Sequence, residues 1–285
     1  MQRLILNSPA KLNLMLHITG RRDDGYHLLQ TVFQFIDLND RLTFDVTDDG
    51  LITRVQANTS VPESSDIIMR AAKLLQARYQ PKFGVRISID KQIPIGAGLG
   101  GGSSNAATTL LALNRLWGLN LRLAELSCLG LELGADVPVF IAGRSAWASG
   151  IGEQLTPIEL PEPWYLVIHP GIFVSTAEIF SAEQLTRNCD AITIRAFLEG
   201  SARNVCEPVV CQRYPEVRQA LDWLGQLADG AKMTGTGASV FAAFNSLNEA
   251  ERVKSSIPEQ WSGFVAKAMN TNPVSVQCGI LETGN

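Results

Sequence analysis

The chain has 285 residues, of which 46% are hydrophobic and 18% charged, a balance typical of globular proteins with ordinary cores. At roughly 150 residues per domain, this length predicts two domains. The net charge of −4 and the pI of about 5.5 argue against nucleic-acid binding through bulk charge. No apolar run approaches the roughly 20 residues that span a bilayer, and the first residues lack the features of a signal peptide. These properties predict a cytoplasmic protein with no nucleic-acid or membrane partner, and they leave its oligomeric state open.

Cysteine and histidine positions favour neither a disulfide framework nor a metal site. The five cysteines form no C-x-x-C pair, and an odd number cannot pair completely. The three histidines are scattered along the chain, and His17 and His169 are interpreted as ordinary buried or surface side chains. The cysteines are Cys128, Cys189, Cys206, Cys211 and Cys278.

The first predicted element is a strand over residues 10–17, where side chains alternate. Lys11, Asn13, Met15 and His17 are predicted on one face, and three leucines on the other. This places Lys11 beside Asn13. A charged turn at 20–25 follows. The leucines are Leu12, Leu14 and Leu16.

Further elements of the first half follow from hydrophobic periodicity. Alternating apolar residues predict strands at 42–46 and 85–89, and helical spacing predicts a helix at 67–75. A glycine run precedes a helix from Ser103, for which Ser103 and Ser104 are natural N-terminal caps. Its apolar stripe is Ala106, Leu110, Leu113 and Trp117.

A second helix is predicted at 121–133, ended and restarted by the segment Gly134 to Pro138. The proline-rich stretch Leu155 to Trp164 is the predicted linker. After it, the pattern predicts a mixed α+β half. Its elements are a strand at 165–169, a helix with Val217, Ala220, Leu221, Leu224 and Leu227 on one stripe, a turn at 233–239, a strand at 240–244, a helix at 248–257 and a strand at 263–268.

The strongest chemical signal is the segment from Pro94 to Ala107, which contains five glycines in the seven positions 96–102 and then two serines that open a helix. Glycine lets the backbone approach a ligand closely and adopt positive φ. Free N–H groups at a helix start attract anions, helped by the helix dipole. The segment therefore predicts a phosphate site, rather than a simple turn, which has no need for so many glycines.

Other phosphate-binding families fit this loop less well. The pattern Gly96-x-Gly98-x-x-Gly101 formally matches the dinucleotide fingerprint, but the region about 20 residues later is predicted as helix instead of a strand ending in an acidic residue. A Walker motif requires a lysine directly after the glycine loop, and this loop has none. The lysine, H-R-D and D-F-G elements of protein kinases are also missing.

Two weaker motifs accompany the loop, namely Pro9 to Leu14 and Met233 to Phe241. Alone, a strand lysine is usually a solvated charge and a Gly-Thr-Gly turn is usually only a turn. The three motifs in this order resemble the GHMP kinase superfamily. Within it, the chain resembles the diphosphocytidyl-methylerythritol kinases, which share Pro9 to Leu14, the G-x-R-x-D-G-Y-H stretch from Gly20 to His27, and the L-G-A-D-V-P stretch within Leu133 to Phe140.

The resemblance covers about residues 8–270 and implies the fold. An α/β (α+β) two-domain GHMP kinase fold is expected, with the active site in the cleft between the domains. Residues 1–157 would form an N-terminal ATP-binding domain like ribosomal protein S5. Residues 158–285 would form a ferredoxin-like C-terminal α+β domain.

The resemblance also implies the reaction, which is transfer of the γ-phosphoryl of ATP to the 2-hydroxyl of 4-diphosphocytidyl-2-C-methyl-D-erythritol in the methylerythritol phosphate route to isoprenoids. Asp136 would be the general base, with Lys11 beside it and the acceptor hydroxyl. Mg²⁺ is expected with ATP, and Ser104 is a candidate ligand although no metal site is assigned. ATP is expected on Pro94, Gly96, Ala97, Gly98, Leu99, Gly100, Gly101, Gly102, Ser103 and Ser104.

The resemblance implies that Tyr26 and Phe180 sandwich the cytosine and that His27 hydrogen-bonds the edge of the base. Asn13, Phe33 and Thr176 match further pocket positions. From chemistry alone, Phe33 and Phe180 would be interpreted as ordinary core residues and Tyr26-His27 as the end of a loop, so their assignment to the pocket depends on the resemblance. Asp66 and Lys91 are expected near the adenine by position, although relatives carry Asn-Leu in place of Asp66-Ile67.

Other readings of the same motifs give two alternatives. One is another GHMP small-molecule kinase of the homoserine or mevalonate type. The other is a non-catalytic nucleotide or metabolite sensor. The presence of both Lys11 and Asp136 argues against a sensor, because a sensor needs neither residue.

Overall fold

In the computed structural model, residues 2–55 and 66–280 are described. The chain opens with a long antiparallel hairpin of β1 (Arg3–Arg21) and β2 (His27–Thr47). The predicted strand at 10–17 is confirmed as the middle of β1, and the charged turn is confirmed as the tip of the hairpin. The predicted strand at 42–46 is the end of β2.

A β-bulge in β1 overturns part of the predicted alternation. Asn13 pairs with Phe33 whereas Met15 pairs with the adjacent Val32, so Leu14 is an extra residue in β1. Opposed residues share a face, and the insertion reverses the faces that follow it. Lys11 and Asn13 do share a face, as predicted. Placing Met15 and His17 with them was wrong, because the bulge turns both to the opposite side.

The next elements support the hairpin from one side. They are β3 (Ile52–Arg54), α1 (Ile67–Tyr79) and β4 (Gly84–Asp90). Strand β4 is antiparallel to β2 and parallel to β3. The predicted helix at 67–75 and strand at 85–89 are therefore confirmed, and α1 runs one turn further than predicted.

Three helices follow the glycine run: α2 (Gly101–Leu116), α3 (Leu123–Leu133) and α4 (Val137–Ala142). The apolar stripe predicted for α2 is buried, as expected. The predicted serine caps were wrong, because α2 begins two residues earlier with Gly100 at the N-cap, where φ is 69°. Glycine reaches this left-handed conformation without the steric cost of a side chain.

A short hairpin closes the first half, with β5 (Ala146–Ser149) paired to β2 and to β6 (Gln154–Pro157). The predicted linker begins inside β6, so only residues 158–163 form an irregular connection before β7 (Trp164–His169). The strand predicted at 165–169 is confirmed.

The second half is mixed, as predicted. Helix α8 ends at Gly225, so Leu227 was wrongly placed on its stripe and is exposed. The predicted helix at 248–257 begins one residue earlier and ends at Lys254, and the strands at 240–244 and 263–268 are confirmed. The elements are α5 (Thr176–Ser181), α6 (Ile194–Leu198), α7 (Glu207–Arg213), α8 (Pro215–Gly225), β8 (Lys232–Met233), β9 (Val240–Phe244), α9 (Leu247–Lys254), β10 (Ser262–Met269) and α10 (Pro273–Gln277).

Strand β10 joins the two halves into one sheet with the order β3-β4-β2-β10-β7-β9-β8, and β1 and β5 also pair with β2. The largest apolar cluster lies between the first-half strands and α1 to α4, and a second lies in the second half. Leu16 and Ile18 of β1 pack into that second cluster. The boundary at 157/158 stays a prediction. Over the described residues, no helix is both long enough and apolar enough to cross a bilayer.

His17 predicts a pH dependence of stability. It is buried in β1, and this burial lowers its pKa below the ordinary value of 6.5, helped by the positive charge of Arg203. As the pH drops through about 6.5, His17 is protonated in the unfolded chain but stays neutral in the folded chain. The free energy of unfolding therefore falls as the pH drops through that range.

The melting temperature is therefore expected to fall between pH 7.5 and about 5.5, and to fall less in His17→Gln, which has no titrating group there. His27 and His169 also have lowered pKa values, so part of the slope persists. If the melting temperature of His17→Gln fell with pH as steeply as that of the wild type, the role of His17 would be contradicted.

Candidate active site

A cavity of about 1120 Å³ lies where the two halves meet. Strands β1 and β2 form its floor, and the glycine loop, α5 and the second glycine turn form its walls. Every residue predicted for catalysis, nucleotide binding or substrate binding lines it, except Ser104. The predicted residues at the cavity are Lys11, Asn13, Tyr26, His27, Phe33, Pro94, Gly96, Ala97, Gly98, Leu99, Gly100, Gly101, Gly102, Ser103, Asp136, Thr176 and Phe180.

Lys11 lies on the cavity floor with 3% of its surface exposed. Its Nζ donates to the carbonyl of Gly98 at 2.9 Å and to Oδ1 of Asn13, and it lies 3.4 Å from Oδ2 of Asp136. It also lies 5.7 Å from the centroid of the Phe33 ring. A buried ammonium needs such partners, because an unpaired buried charge is costly. The predicted pairing of Lys11 with Asp136 is thus present.

Asp136 occupies the N-cap position of α4, but its side chain makes no capping hydrogen bond there. A carboxylate whose only role is to cap a helix would make that hydrogen bond, so capping does not explain the presence of Asp136. Its side chain is about one-third exposed and lines the cavity beside Lys11. The carboxylate is therefore accessible to a ligand.

The glycine loop owes its path to glycines at positive φ, 68° at Gly96, 76° at Gly98 and 69° at Gly100. The carbonyl of Leu99 accepts from the N–H of Lys11 at 3.0 Å, and the carbonyl of Ala97 accepts from the N–H of Ser239 at 3.1 Å. The loop is therefore bound to β1 on one side and to the second glycine turn on the other.

We expect Gly98→Ala to lower the melting temperature strongly. An added Cβ would lie 2.5 Å from the carbonyl oxygen of Thr234 and 2.8 Å from that of Gly237, at a φ that L-residues avoid. We expect a cost of about 2 kcal/mol or more from the conformation and the clash together. Gly102→Ala is the matched control, because the nearest atom to its Cβ would be 3.9 Å away. Equal melting temperatures by calorimetry would contradict this view of the loop.

The two serines at the start of α2 have different surroundings. Ser103 lines the cavity. Ser104 is fully buried, and its Oγ lies 2.7 Å from Oγ of Ser8, which also accepts from Thr108 at 3.0 Å. The structure thus places the Ser104 side chain behind the loop rather than facing a ligand.

Asp40 supports the beginning of the loop, a role that sequence reasoning missed. This buried carboxylate accepts from the backbone N–H groups of Gln92 and Ile93 at 2.8 Å, from Nδ2 of Asn105 at 2.9 Å and from Nζ of Lys91 at 2.8 Å. It ties the end of β4 to α2. Asp40 lies in a strand of mixed polar and apolar residues, where the sequence gives no sign of its distant partners.

The positions expected near the adenine, Asp66 and Lys91, both line the cavity. Asp66 caps α1 by accepting from the N–H of Ile68 at 2.9 Å, and its other oxygen pairs with Nε of Arg54 at 3.0 Å. The counter-ion of Asp66 is therefore Arg54 from β3.

Aromatic side chains lie at the other end of the cavity. The rings of His27 and Phe180 stack with centroids 5.1 Å apart and an interplanar angle of 24°. Tyr26 is 59% exposed, and in the described part of the chain its ring touches no other ring. Burial lowers the pKa of His27, helped by the charges of Arg187 and Arg21. Thr176 closes this end through a hydroxyl contact of 2.9 Å with Thr236.

Several polar residues hold the site together, and the partners of the predicted Asn13, together with Asn204, were not predicted as site residues. Asn13 donates from Nδ2 to Thr31 at 2.8 Å, and its backbone N–H donates to Oγ1 of Thr234 at 2.8 Å. Asn204 donates to the carbonyls of Met233 at 2.9 Å and Gly235 at 2.7 Å. These contacts join β1, β2 and the second glycine turn. They come from residues up to 221 positions apart, so no local pattern could reveal them.

Comparisons with known proteins agree with this arrangement. Residues 66–144 match the N-terminal domain of GHMP kinases, and residues 182–263 match their C-terminal domain. The 4-diphosphocytidyl-2-C-methyl-D-erythritol kinase of Nitrosococcus oceani is 55% identical over 267 residues, which are 94% of this chain and 95% of that protein. The chain belongs to the 4-diphosphocytidyl-2-C-methyl-D-erythritol kinase family. It is therefore a GHMP kinase, as the motifs predicted.

Two further relatives of this kinase family support the assignment. The enzyme of the same name from Pseudomonas fluorescens is 56% identical over 95% of each chain. A crystal structure of a 4-(cytidine 5′-diphospho)-2C-methyl-D-erythritol kinase superposes with a TM-score of 0.82 at 34% identity, covering 93% of this chain and 99% of that one. The two-part GHMP kinase fold expected from the sequence is confirmed.

Proposed function

We propose that this kinase transfers the γ-phosphoryl of ATP to the 2-hydroxyl of 4-diphosphocytidyl-2-C-methyl-D-erythritol, giving the 2-phosphate and ADP in the methylerythritol phosphate pathway. The observation that carries the proposal is the position of the Lys11–Asp136 pair, 3.4 Å apart, on the floor of the cavity that the glycine loop borders. The His27–Phe180 stack lies in the same cavity.

Asp136 is the general base of the proposed mechanism. Its carboxylate takes the proton from the 2-hydroxyl while that oxygen bonds to the γ-phosphorus and the bond to the β-phosphate oxygen of ADP breaks. The positive charge of Lys11 stabilises negative charge on the reacting oxygens. Because Gly98 and Asn13 also bind its Nζ, the ammonium is held in place before the substrates arrive.

The glycine loop is the proposed phosphate site. Residues from Pro94 to Ser103 line the cavity, and the N-terminus of the sixteen-residue helix α2 lies at its end. Free N–H groups of a helix start bind phosphate without a lysine. Ser104 offers no free N–H group, because its backbone N–H donates to the carbonyl of Gly100 at 2.9 Å, and its hydroxyl packs on Ser8.

Mg²⁺ is part of the proposal as a companion of ATP. Among the described residues, no group of three histidine, cysteine or acidic side chains could hold a metal. This fits Mg²⁺, which is usually bound by one or two carboxylates together with phosphates and water. The Asp136 carboxylate and the Ser103 hydroxyl are oxygen donors at the cavity, whereas Ser104 is buried against Ser8 and does not fit as a ligand. When bound, the metal neutralises charge on the phosphates.

The cytidine end of the substrate is assigned to Tyr26, His27 and Phe180. Stacking of a base on aromatic faces contributes about 1–3 kcal/mol. Phe180 already stacks on His27, and the exposed Tyr26 is free to cover the other face of a base. Asn13, Phe33 and Thr176 are proposed to line the path between the base and the reacting hydroxyl.

The test is turnover of ATP by the purified protein with 4-diphosphocytidyl-2-C-methyl-D-erythritol, mevalonate and homoserine in parallel. We expect phosphorylated product only with the first. A cytidine nucleotide should also raise the melting temperature, because a ligand stabilises the state that binds it. Product from mevalonate or homoserine instead would favour the other GHMP kinases, and ATP binding without any transfer would favour a sensor. The cytoplasmic location stays a prediction.

A further inference from the structure

Arg187 connects the two residues that stack at the aromatic end of the cavity. Its Nε donates to Nε2 of His27 at 3.1 Å. Its Nη2 donates to the carbonyls of Phe180 at 3.0 Å and Ala182 at 2.6 Å, and its Nη1 donates to the carbonyl of Leu185 at 3.2 Å. One guanidinium thus binds the first residue of β2 and the last turn of α5, from opposite halves of the chain.

This contact decides which nitrogen of His27 carries the proton. A guanidinium is only a donor and does not lose its proton in proteins. Nε2 of His27 must therefore present a lone pair to Arg187, and in the neutral ring the proton is on Nδ1. Among the described residues, Nδ1 of His27 has no hydrogen-bond partner. His27 lines the cavity, so Nδ1–H is available to a ligand.

We propose that Arg187 is a positioning residue that fixes His27 as the Nδ1–H tautomer, so that the pocket selects a pyrimidine with an acceptor at ring position 3. Cytosine presents a lone pair at N3, whereas uracil presents an N–H that would oppose the donor of His27. A site that leaves a donor unpaired against the wrong ligand discriminates strongly. The inference rests on the proposed function, which places the base at this end of the cavity.

The remaining contacts of Arg187 serve the same pocket. Helix α5 has only six residues, and its final carbonyls lack partners within the helix. By binding the Phe180 and Ala182 carbonyls, Arg187 fixes the Phe180 ring against His27 with the same group that sets the tautomer. Edge recognition and stacking are therefore coupled through one side chain.

The first experiment needs no ligand and no variant. Nitrogen NMR of the imidazole of His27 in the free protein at pH 7.5 distinguishes a protonated Nδ1 from a protonated Nε2. We expect a protonated Nδ1 and an unprotonated Nε2 in the wild type. A protonated Nε2 in the wild type would overturn the inference outright, whatever the enzymatic activity.

The second experiment compares binding of cytidine and uridine monophosphate by calorimetry. In Arg187→Met, we expect the preference for cytidine over uridine to fall about tenfold, the effect of one well-made hydrogen bond. The preference of Arg187→Lys for cytidine should lie between those of the wild type and Arg187→Met, because lysine keeps one donor but loses the planar set of N–H donors of the guanidinium. The control is Arg213→Met, which removes another arginine bound to α5, through Glu178 at 3.0 Å, outside the cavity lining.

The kinetic readout separates positioning from general damage. We expect KM for the cytidine substrate to rise about tenfold in Arg187→Met, with kcat nearly unchanged because the reacting groups are elsewhere in the cavity. An unchanged cytidine preference in folded Arg187→Met would overturn the inference and leave the proposed function standing. Failure of cytidine monophosphate to bind the wild type would instead overturn the assignment of the base pocket, and with it the inference.

Discussion

Replacement of Asp136 by asparagine is expected to lower kcat by roughly 10²- to 10⁴-fold, the usual contribution of a positioned general base. KM should change little, because asparagine keeps the size of the side chain and can still accept from Lys11. The fold should survive, since the Asp136 side chain makes no capping hydrogen bond to α4. The measurement is steady-state phosphorylation of the cytidine substrate together with the melting temperature.

A matched control for this variant is Asp48→Asn, which changes an exposed aspartate outside the cavity lining. It should keep wild-type kcat. If Asp136→Asn also kept full activity, the proposed mechanism would be wrong, because no other carboxylate is known to lie so close to Lys11 in the described residues.

Replacement of Lys11 by methionine is expected to lower kcat by roughly 10²- to 10³-fold, because a fixed positive charge next to the reacting oxygens is lost. Unlike Asp136→Asn, this change should also lower stability. Asn13 Oδ1 and the Gly98 carbonyl would lose their buried donor, at a cost of about 1–3 kcal/mol. Calorimetry and kinetics on the same preparation measure both effects.

The double variant of Lys11 and Asp136 tests whether the two residues act as a unit. Groups that act together show strongly non-additive effects on kcat. We expect the double variant to be about as slow as the slower single variant. Fully additive losses would show that the two side chains act independently. Lys267→Met is a control for the loss of a lysine, since Lys267 stacks on Trp164 outside the cavity lining.

The catalytic pair and the phosphate loop could be predicted from sequence because their signals are local. Five glycines before a helix indicate an anion site from backbone chemistry alone. The spacing of Lys11 and Asn13 in a strand predicts a shared face, which the structure confirms. Pairing Lys11 with Asp136 required the family resemblance, because they lie 125 positions apart in the sequence and no local pattern joins them.

The failures also have physical causes. The bulge at Leu14 reverses the face of Met15 and His17, and an inserted residue leaves no mark on a simple alternation. The serines after the glycine run are typical helix caps, yet the N-cap is Gly100, at a φ of 69° that glycine adopts without steric cost. Arg187, Asp40 and Thr234 are defined by distant partners, which a single sequence does not reveal.

The long hairpin has a consequence for any attempt to divide this enzyme. Strand β1 contributes Leu16 and Ile18 to the apolar cluster of the second half, and β10 continues the sheet from β2. A fragment that stopped at residue 157 would leave both side chains without their surroundings and one sheet edge unpaired, a combination that promotes self-association. Neither half is therefore expected to fold stably when it is separated from the other.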